Sequence, residues 1–228
     1  MKIKKRFGAA AAALLIFVGL LSGCSLQKDV EGGELIRQAR KDYTALDSAK
    51  VIMTNMDTGE QDQVFTFKYD EKDVLMFSYY GKTENSEYAQ YNNGAECFTY
   101  DNGEYTHSQR GDKDFVKFTR SSTHPQADAG LLIYDPDTIT KAEVTKEDGV
   151  EHVHHEYDIK KIGAEVESGE VTDFFADYYF KDSKLEYFTE TTKAKNGDKE
   201  ETYAYKIEIT QQNEVKKVEN TTDRFKDK

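Results

Sequence analysis

Tyr88-Ala89-Gln90-Tyr91-Asn92-Asn93-Gly94-Ala95-Glu96-Cys97-Phe98-Thr99-Tyr100-Asp101-Asn102-Gly103-Glu104-Tyr105-Thr106-His107-Ser108 is the stretch that decides the fold. It divides into three short runs, residues 88–92, 96–101 and 104–108, separated by Asn93-Gly94 and Asn102-Gly103. Asn-Gly is the strongest short hairpin signal, because both residues tolerate the positive φ that a type I′ turn requires. The runs are rich in Tyr, which suits a sheet face that is apolar in its body and wet at its tip. The segment predicts antiparallel strands joined as a meander.

The same period of two extends in both directions. Upstream, Val51, Met53 and Asn55 alternate with Ile52, Thr54 and Met56, and the runs Phe65, Phe67, Tyr69 and Leu75, Phe77, Tyr79 repeat the pattern. Downstream, residues 139–145 and 150–159 flank a turn at Glu147-Asp148-Gly149. Phe174, Ala176, Tyr178 and Phe180 share a face before a turn at Lys181-Asp182-Ser183, and residues 185–191 follow. Asn196-Gly197 leads into Tyr203, Tyr205, Ile207 and Ile209, the clearest single-faced strand. Residues 115–119 are a further candidate strand. Residues 121–136 hold Pro125 and Pro136 around Leu131-Leu132-Ile133-Tyr134, and read as a short helix lying over the sheet or as a loop whose apolar centre plugs a cavity. From Asn220 the chain is a polar tail expected to fray.

Helical spacing occurs only ahead of Asp47-Ser48, where Leu35, Ala39, Tyr43 and Leu46 recur with Ile36 beside them. This predicts an amphipathic helix of about three turns. Roughly ten strands with one apolar face must cover that face, by a second sheet or by curling around helices. The early helix favours the second solution. The expected fold class is α+β, mostly β: a curved antiparallel meander, an incomplete barrel, packed on an N-terminal helix and one short mid-chain helix.

The first residues carry an address. Lys2, Lys4, Lys5 and Arg6 precede a nearly continuous apolar run from Ala9 to Leu21, which ends in Ser22-Gly23-Cys24. The run is about thirteen residues, short of the roughly twenty that a bilayer-crossing helix needs. Leu21-Ser22-Gly23-Cys24 resembles a bacterial lipobox, and the resemblance implies that residues 1–23 are cleaved and that Cys24 is lipidated. Two acyl chains suffice for stable anchoring on the extracytoplasmic face of the cell membrane. Residues 24–33 then form a flexible tether, residues 34–219 a single domain, and residues 220–228 the tail.

Removal of residues 1–23 leaves 205 residues and, with four basic residues lost, takes the formal charge from -12 to -16. Such a balance argues against nucleic acid and against electrostatic docking to anionic headgroups. Cys97 is then the one remaining thiol, so no internal disulfide can form and stability rests on the core. With 15 Tyr, 13 Phe and no Trp, that core is aromatic. Cys97 has the opposite parity to Phe98 and Tyr100 and reads as a buried, inert thiol.

An exported, anchored chain that opens with an amphipathic helix, turns at Asp47-Ser48 into a first strand over residues 49–56 and continues as a long meander resembles the LolA, LolB and mycobacterial LprG/LppX superfamily. The resemblance spans about residues 34–218. It implies an incomplete barrel wrapped around helices, with a lipid or acyl chain held between sheet and helix. Lining candidates are Leu35, Ala39 and Tyr43 from the helix, and Phe65, Phe67, Leu75, Phe77, Phe98, Phe174, Tyr178, Tyr203 and Tyr205 from the sheet. The same aromatic stripes would equally fill a core with no room for a ligand.

Among polar groups, His152, His154 and Glu156 fall on one face of a strand at a spacing that can chelate zinc or copper, with His107 or His124 as distant ligands. That face is expected to be solvated, because Val153, Tyr157 and Ile159 take the other, and no metal is assigned to it. Asp135 and Asp137 flank Pro136, a spacing that 43 acidic residues produce by chance. The chain has no nucleophile elbow, phosphate-binding glycine loop or zinc-protease motif, so no catalytic residue and no cofactor is assigned. The expected function is a non-catalytic binding or carrier module for a lipid, lipoprotein or other amphiphile. The alternative is an envelope interaction protein with a filled core that binds a protein or cell-wall partner through its surface.

Overall fold

A computed structural model of the chain describes residues 30–83, 85–120, 135–164, 166 and 169–226. The lipobox, Cys24, His124 and the mid-chain helix or loop of residues 121–134 lie outside the described residues. Eleven strands form one antiparallel sheet: β1 (Ser48–Asn55), β2 (Gln61–Tyr69), β3 (Leu75–Lys82), β4 (Glu87–Asn92), β5 (Glu96–Asp101), β6 (Glu104–Gln109), β7 (Ile139–Glu147), β8 (Val150–Tyr157), β9 (Glu170–Lys181), β10 (Lys184–Asn196) and β11 (Lys199–Thr210). The spatial order is β6-β5-β4-β3-β2-β1-β11-β10-β9-β8-β7. Two meanders are thus joined where β1 pairs with β11, and the sheet does not close, leaving β6 and β7 as its edges. Both edges carry mainly polar and charged residues, which discourages pairing with another chain.

The turns obey the φ requirement, with one correction. Asn102-Gly103 (φ 48° and 99°) and Asp148-Gly149 (φ 50° and 79°) have both central residues in the left-handed region, the type I′ signature. At Asn93-Gly94 only the glycine is left-handed, and the loop widens to three residues, with the Asn93 side chain accepting from the amides of Ala95 and Glu96. Residues 115–119 are not a strand; they contribute one bridge, Val74 to Thr119. β8 stops at Tyr157, because Asp158 caps a single helical turn, α2 (Ile159–Ile162), by accepting from the Lys160 and Lys161 amides.

The N-terminal helix α1 (Gly33–Thr44) crosses the strands and bends the sheet around itself. Its entry, Gly32, touches β8: a Cβ there would lie 2.4 Å from Val153 Cγ1. Its last turn touches β2, with the Tyr43 ring 6.1 Å from Phe67, edge to face. From Gly32 to Tyr43 the helix rises about 17 Å, whereas β2 and β8 are five strand intervals apart, about 24 Å along the sheet. The helix spans this arc as a chord, so the sheet is concave on the helix side. Gly32 is left-handed (φ 73°) and Gly33 is buried, so residues assigned to a flexible tether belong to the packed body.

The concave face carries the main core, in which Ile36, Phe67, Val153 and Phe180 are wholly buried. At β4 the apolar parity changes sides. Ala89 and Tyr100 point to the convex face, where Phe225 stacks on Tyr100 with centroids 3.9 Å apart. The chain after β11 crosses that face as a strap. Asn213 accepts from the Asp47 amide, the Val215 amide donates to Ser48, Lys68 donates to the Lys216 carbonyl, and Thr221 meets Ser78 at 2.7 Å. It ends in a 3-10 helix (Thr221–Phe225) capped by Asn220. The expected frayed tail is therefore a folded element as far as residue 226, because Phe225 is buried on the back of the sheet, as Val215 and Val218 of the preceding strap are buried.

Candidate functional site

Strand register sorts the concave face into rows. Val153, Tyr178, Phe188, Ile207 and Met53 lie side by side across β8, β9, β10, β11 and β1, and all are buried. The next row, one pleat further from α1, is His155, Ala176, Glu190, Tyr205 and Asn55. His155 and Ala176 are buried, but Glu190, Tyr205 and Asn55 keep part of their surface accessible. In the row beyond, Phe174, Thr192 and Tyr203 are all half-buried. Burial thus falls from complete to partial within two pleats, and aromatic rings carry the partly accessible rows.

The rows separate the lining candidates into two groups. Tyr43, Phe65, Phe67, Leu75, Phe77 and Tyr178 belong to the buried part, with Leu35 and Ala39 half-buried against it. Phe174 and Tyr205 lie in the partly accessible rows; Tyr203 is in the outer row and outside the main core. Phe98 does not line this face. It points to the convex side, stacked on His107 at 4.3 Å beneath the C-terminal strap. The Tyr43 hydroxyl is buried without a hydrogen-bond partner, and burial pushes its pKa well above the ordinary phenol value.

The polar groups of the concave face cluster at the boundary between buried and partly accessible rows. Tyr157 and Tyr178 share a hydrogen bond of 3.0 Å between their hydroxyls, and Tyr157 packs edge to face on Phe174 at 5.5 Å. His155 Nε2 donates to the Glu31 carbonyl at 2.8 Å, tying the helix entry to β8; burial lowers its pKa below the ordinary imidazole value. Glu190 makes no hydrogen bond or ion pair among the described residues. It is enclosed deeply enough that desolvation raises its pKa from 4.5 to about 7. Its charge is felt by Tyr178, whose pKa is raised well above the ordinary value by burial first and by Tyr157, Glu190 and Asp177 after it. An acidic residue at a core-parity position of β10 is the signal in the sequence that would have singled Glu190 out.

The convex face of β8 and β9 holds His152 and His154 as the alternation predicts. Asp177 on β9 organises them: its Oδ1 accepts from His152 Nε2 at 2.6 Å and from His154 Nδ1 at 2.8 Å. His152 stacks on Tyr179 at 4.8 Å, and Tyr179 on Tyr187 at 4.5 Å. Glu156 pairs with Lys141 at 3.2 Å, which holds its pKa low, and approaches His154 Nε2 at 3.5 Å. Among the described residues no group of three or more His, Cys, Asp or Glu is arranged to hold a metal ion. His107 is bound up with Phe98 and Glu96 at the far edge. Asp135 and Asp137 form a turn in which Asp135 accepts from the Asp137 amide. Cys97 is half-buried and accepts a 3.6 Å contact from Gln90, so it is less buried than its parity implied.

No family model and no curated protein matches the chain. Among solved structures it is similar to LprF from Mycobacterium bovis, at 11% identity over 83% of this chain and 96% of that one, with a TM-score of 0.44. It is also similar to the Mycobacterium tuberculosis lipoprotein LppX, at 12% identity over 82% and 97% of the two chains, with a TM-score of 0.38. No helix among the described residues is long and apolar enough to cross a membrane.

Proposed function

We propose that this chain is a lipid-anchored binding or carrier module on the extracytoplasmic face of a bacterial membrane, taking an amphiphile on the open part of its concave face. The observation that carries this reading is the half-buried aromatic border of Phe174, Tyr203 and Tyr205 next to the buried core. Apolar surface left accessible inside a concavity is where methylenes gain most on burial, about 0.8 kcal/mol each. Cys24 supplies the anchor and the acidic body keeps clear of anionic headgroups. The module needs no catalytic residue, and it meets the membrane through its covalent lipid.

Native mass spectrometry of the protein extracted from its own membrane tests the reading. An amphiphile bound in stoichiometric amount, and displaced in a Phe174→Trp variant, is the expected result. A ligand-free chain that also fails to bind added decyl amphiphiles would overturn it in favour of a filled-core interaction protein. A Cys24→Ala variant should be released from the membrane fraction; retention would remove the anchor from the proposal.

A further inference from the structure

Glu190 is an acidic side chain in the row between the buried core and the outer rings; the other acid on this stretch of the face, Glu201, accepts a hydrogen bond from the Tyr203 hydroxyl. Tyr205 lies directly opposite Glu190 on β11 and Ala176 on β9. Tyr178 and Phe174 are its diagonal neighbours on β9, within reach of long side chains at such positions. Ala176, its direct partner on β9, is small and lies between Tyr178 and Phe174 along that face of the strand. No cation among the described residues answers the Glu190 carboxylate: it makes no ion pair, and burial alone accounts for its raised pKa. The nearby basic residues Lys193 on β10 and Lys206 on β11, which pairs with Thr189, are turned to the convex face, over Phe175 and Tyr187.

A carboxylate within a set of aromatic faces is complementary to one class of group. The ring faces carry negative potential and attract an alkylammonium within about 6 Å of their centroids, and the carboxylate supplies the countercharge. An anionic head group would meet repulsion, and a neutral one would leave the carboxylate buried without a partner, which costs free energy. Taking the proposed amphiphile site as given, we infer that its head-group end is Glu190 beside the half-buried rings of Tyr205 and Phe174, and that it selects amphiphiles with a cationic amine head. The groups that face Glu190 from its neighbours are Tyr205 on β11, Tyr178 on β9 and, one strand further, His155 and Tyr157 on β8.

Binding of decyltrimethylammonium and of decyl maltoside to the mature chain, each below its micelle concentration, tests the inference. The ammonium compound should bind at least about tenfold more tightly than the maltoside at about pH 8.5. That preference should vanish at about pH 5.5, where Glu190 is protonated. Glu190→Gln, which keeps shape and removes the charge, should abolish the preference for the ammonium compound over the maltoside. Tyr205→Leu should reduce it with the carboxylate still present. Equal affinity for the two probes, or a preference that survives in Glu190→Gln, would overturn the head-group assignment and leave the amphiphile site standing. Failure of both probes to bind wild type would overturn the site itself.

Discussion

His155 Nε2 reaches the backbone carbonyl of Glu31 across 2.8 Å, a hydrogen bond between positions 124 residues apart that fixes where the helix enters the concave face. The imidazole is wholly buried. Burial is the largest influence on its pKa and, with a smaller push from His154, outweighs the bond to Glu31, so the value falls below the ordinary 6.5. The unfolded chain therefore takes up the proton first. The stability contributed by neutral His155 is full above about pH 6.5 and is lost as the pH falls below it. Urea unfolding across a pH series should show this acid-side loss, and His155→Leu should flatten it. Loss of the side chain in His155→Ala should cost about 2–4 kcal/mol at neutral pH.

Gly32 couples two constraints, a left-handed φ of 73° and an approach in which any Cβ meets Val153 Cγ1 at 2.4 Å. Gly32→Ala should destabilise by about 2–4 kcal/mol, combining backbone strain and overpacking. The double variant with Val153→Ala should recover only the steric part. Additive losses in thermal unfolding would show that the two positions do not touch.

Glu190 titrates in the opposite sense to a salt-bridged acid. With its pKa at about 7 in the native state against 4.5 ordinarily, the folded chain holds the proton more tightly. Its favourable contribution is present below about pH 4.5 and lost as the pH rises through about 7. Glu190→Gln should therefore stabilise the ligand-free protein at about pH 8 by up to roughly 3 kcal/mol, and leave it almost unchanged at about pH 4.5. Chemical denaturation of the pair at both pH values reads the difference, and a destabilised glutamine variant at high pH would show that the carboxylate has a partner.

Phe225 anchors the strap, so Phe225→Ala should cost about 3–4 kcal/mol, as for a buried aromatic. Truncation after Glu219 should expose Ala89 and Tyr100 together and increase binding of a hydrophobic dye. A truncated chain that melts like wild type would make the strap dispensable.

Much of this fold is legible in residue alternation, since Phe174, Ala176, Tyr178 and Phe180 do point to one face and His152 and His154 to the other. Alternation reports that a strand has an apolar side; it does not report which side of the sheet that is. Phe98 and Tyr100 look no different from Phe65 and Phe67, yet they point the opposite way, because their cover is a segment more than a hundred residues later. Asp177 escaped notice for a related reason: it is an ordinary acid at a polar position until the β8–β9 register places it between two imidazoles. The tail seemed featureless because its few apolar residues have no period, and only the back of the sheet gives them a purpose.

The pairing of β1 with β11 brings Lys50 to Thr210, and the strap ends at Phe225, three residues from the last. The first strand therefore takes one of its two partners from a strand 160 residues further along the chain. Long-range pairing of this kind is slow to form, since the closure entropy must be met before the contacts exist. Without β11 and the strap the two meanders separate, β1 and β10 each lose a partner, and Ala89 and Tyr100 lose their cover. A single strand, β11, thus decides whether the molecule is one sheet or two.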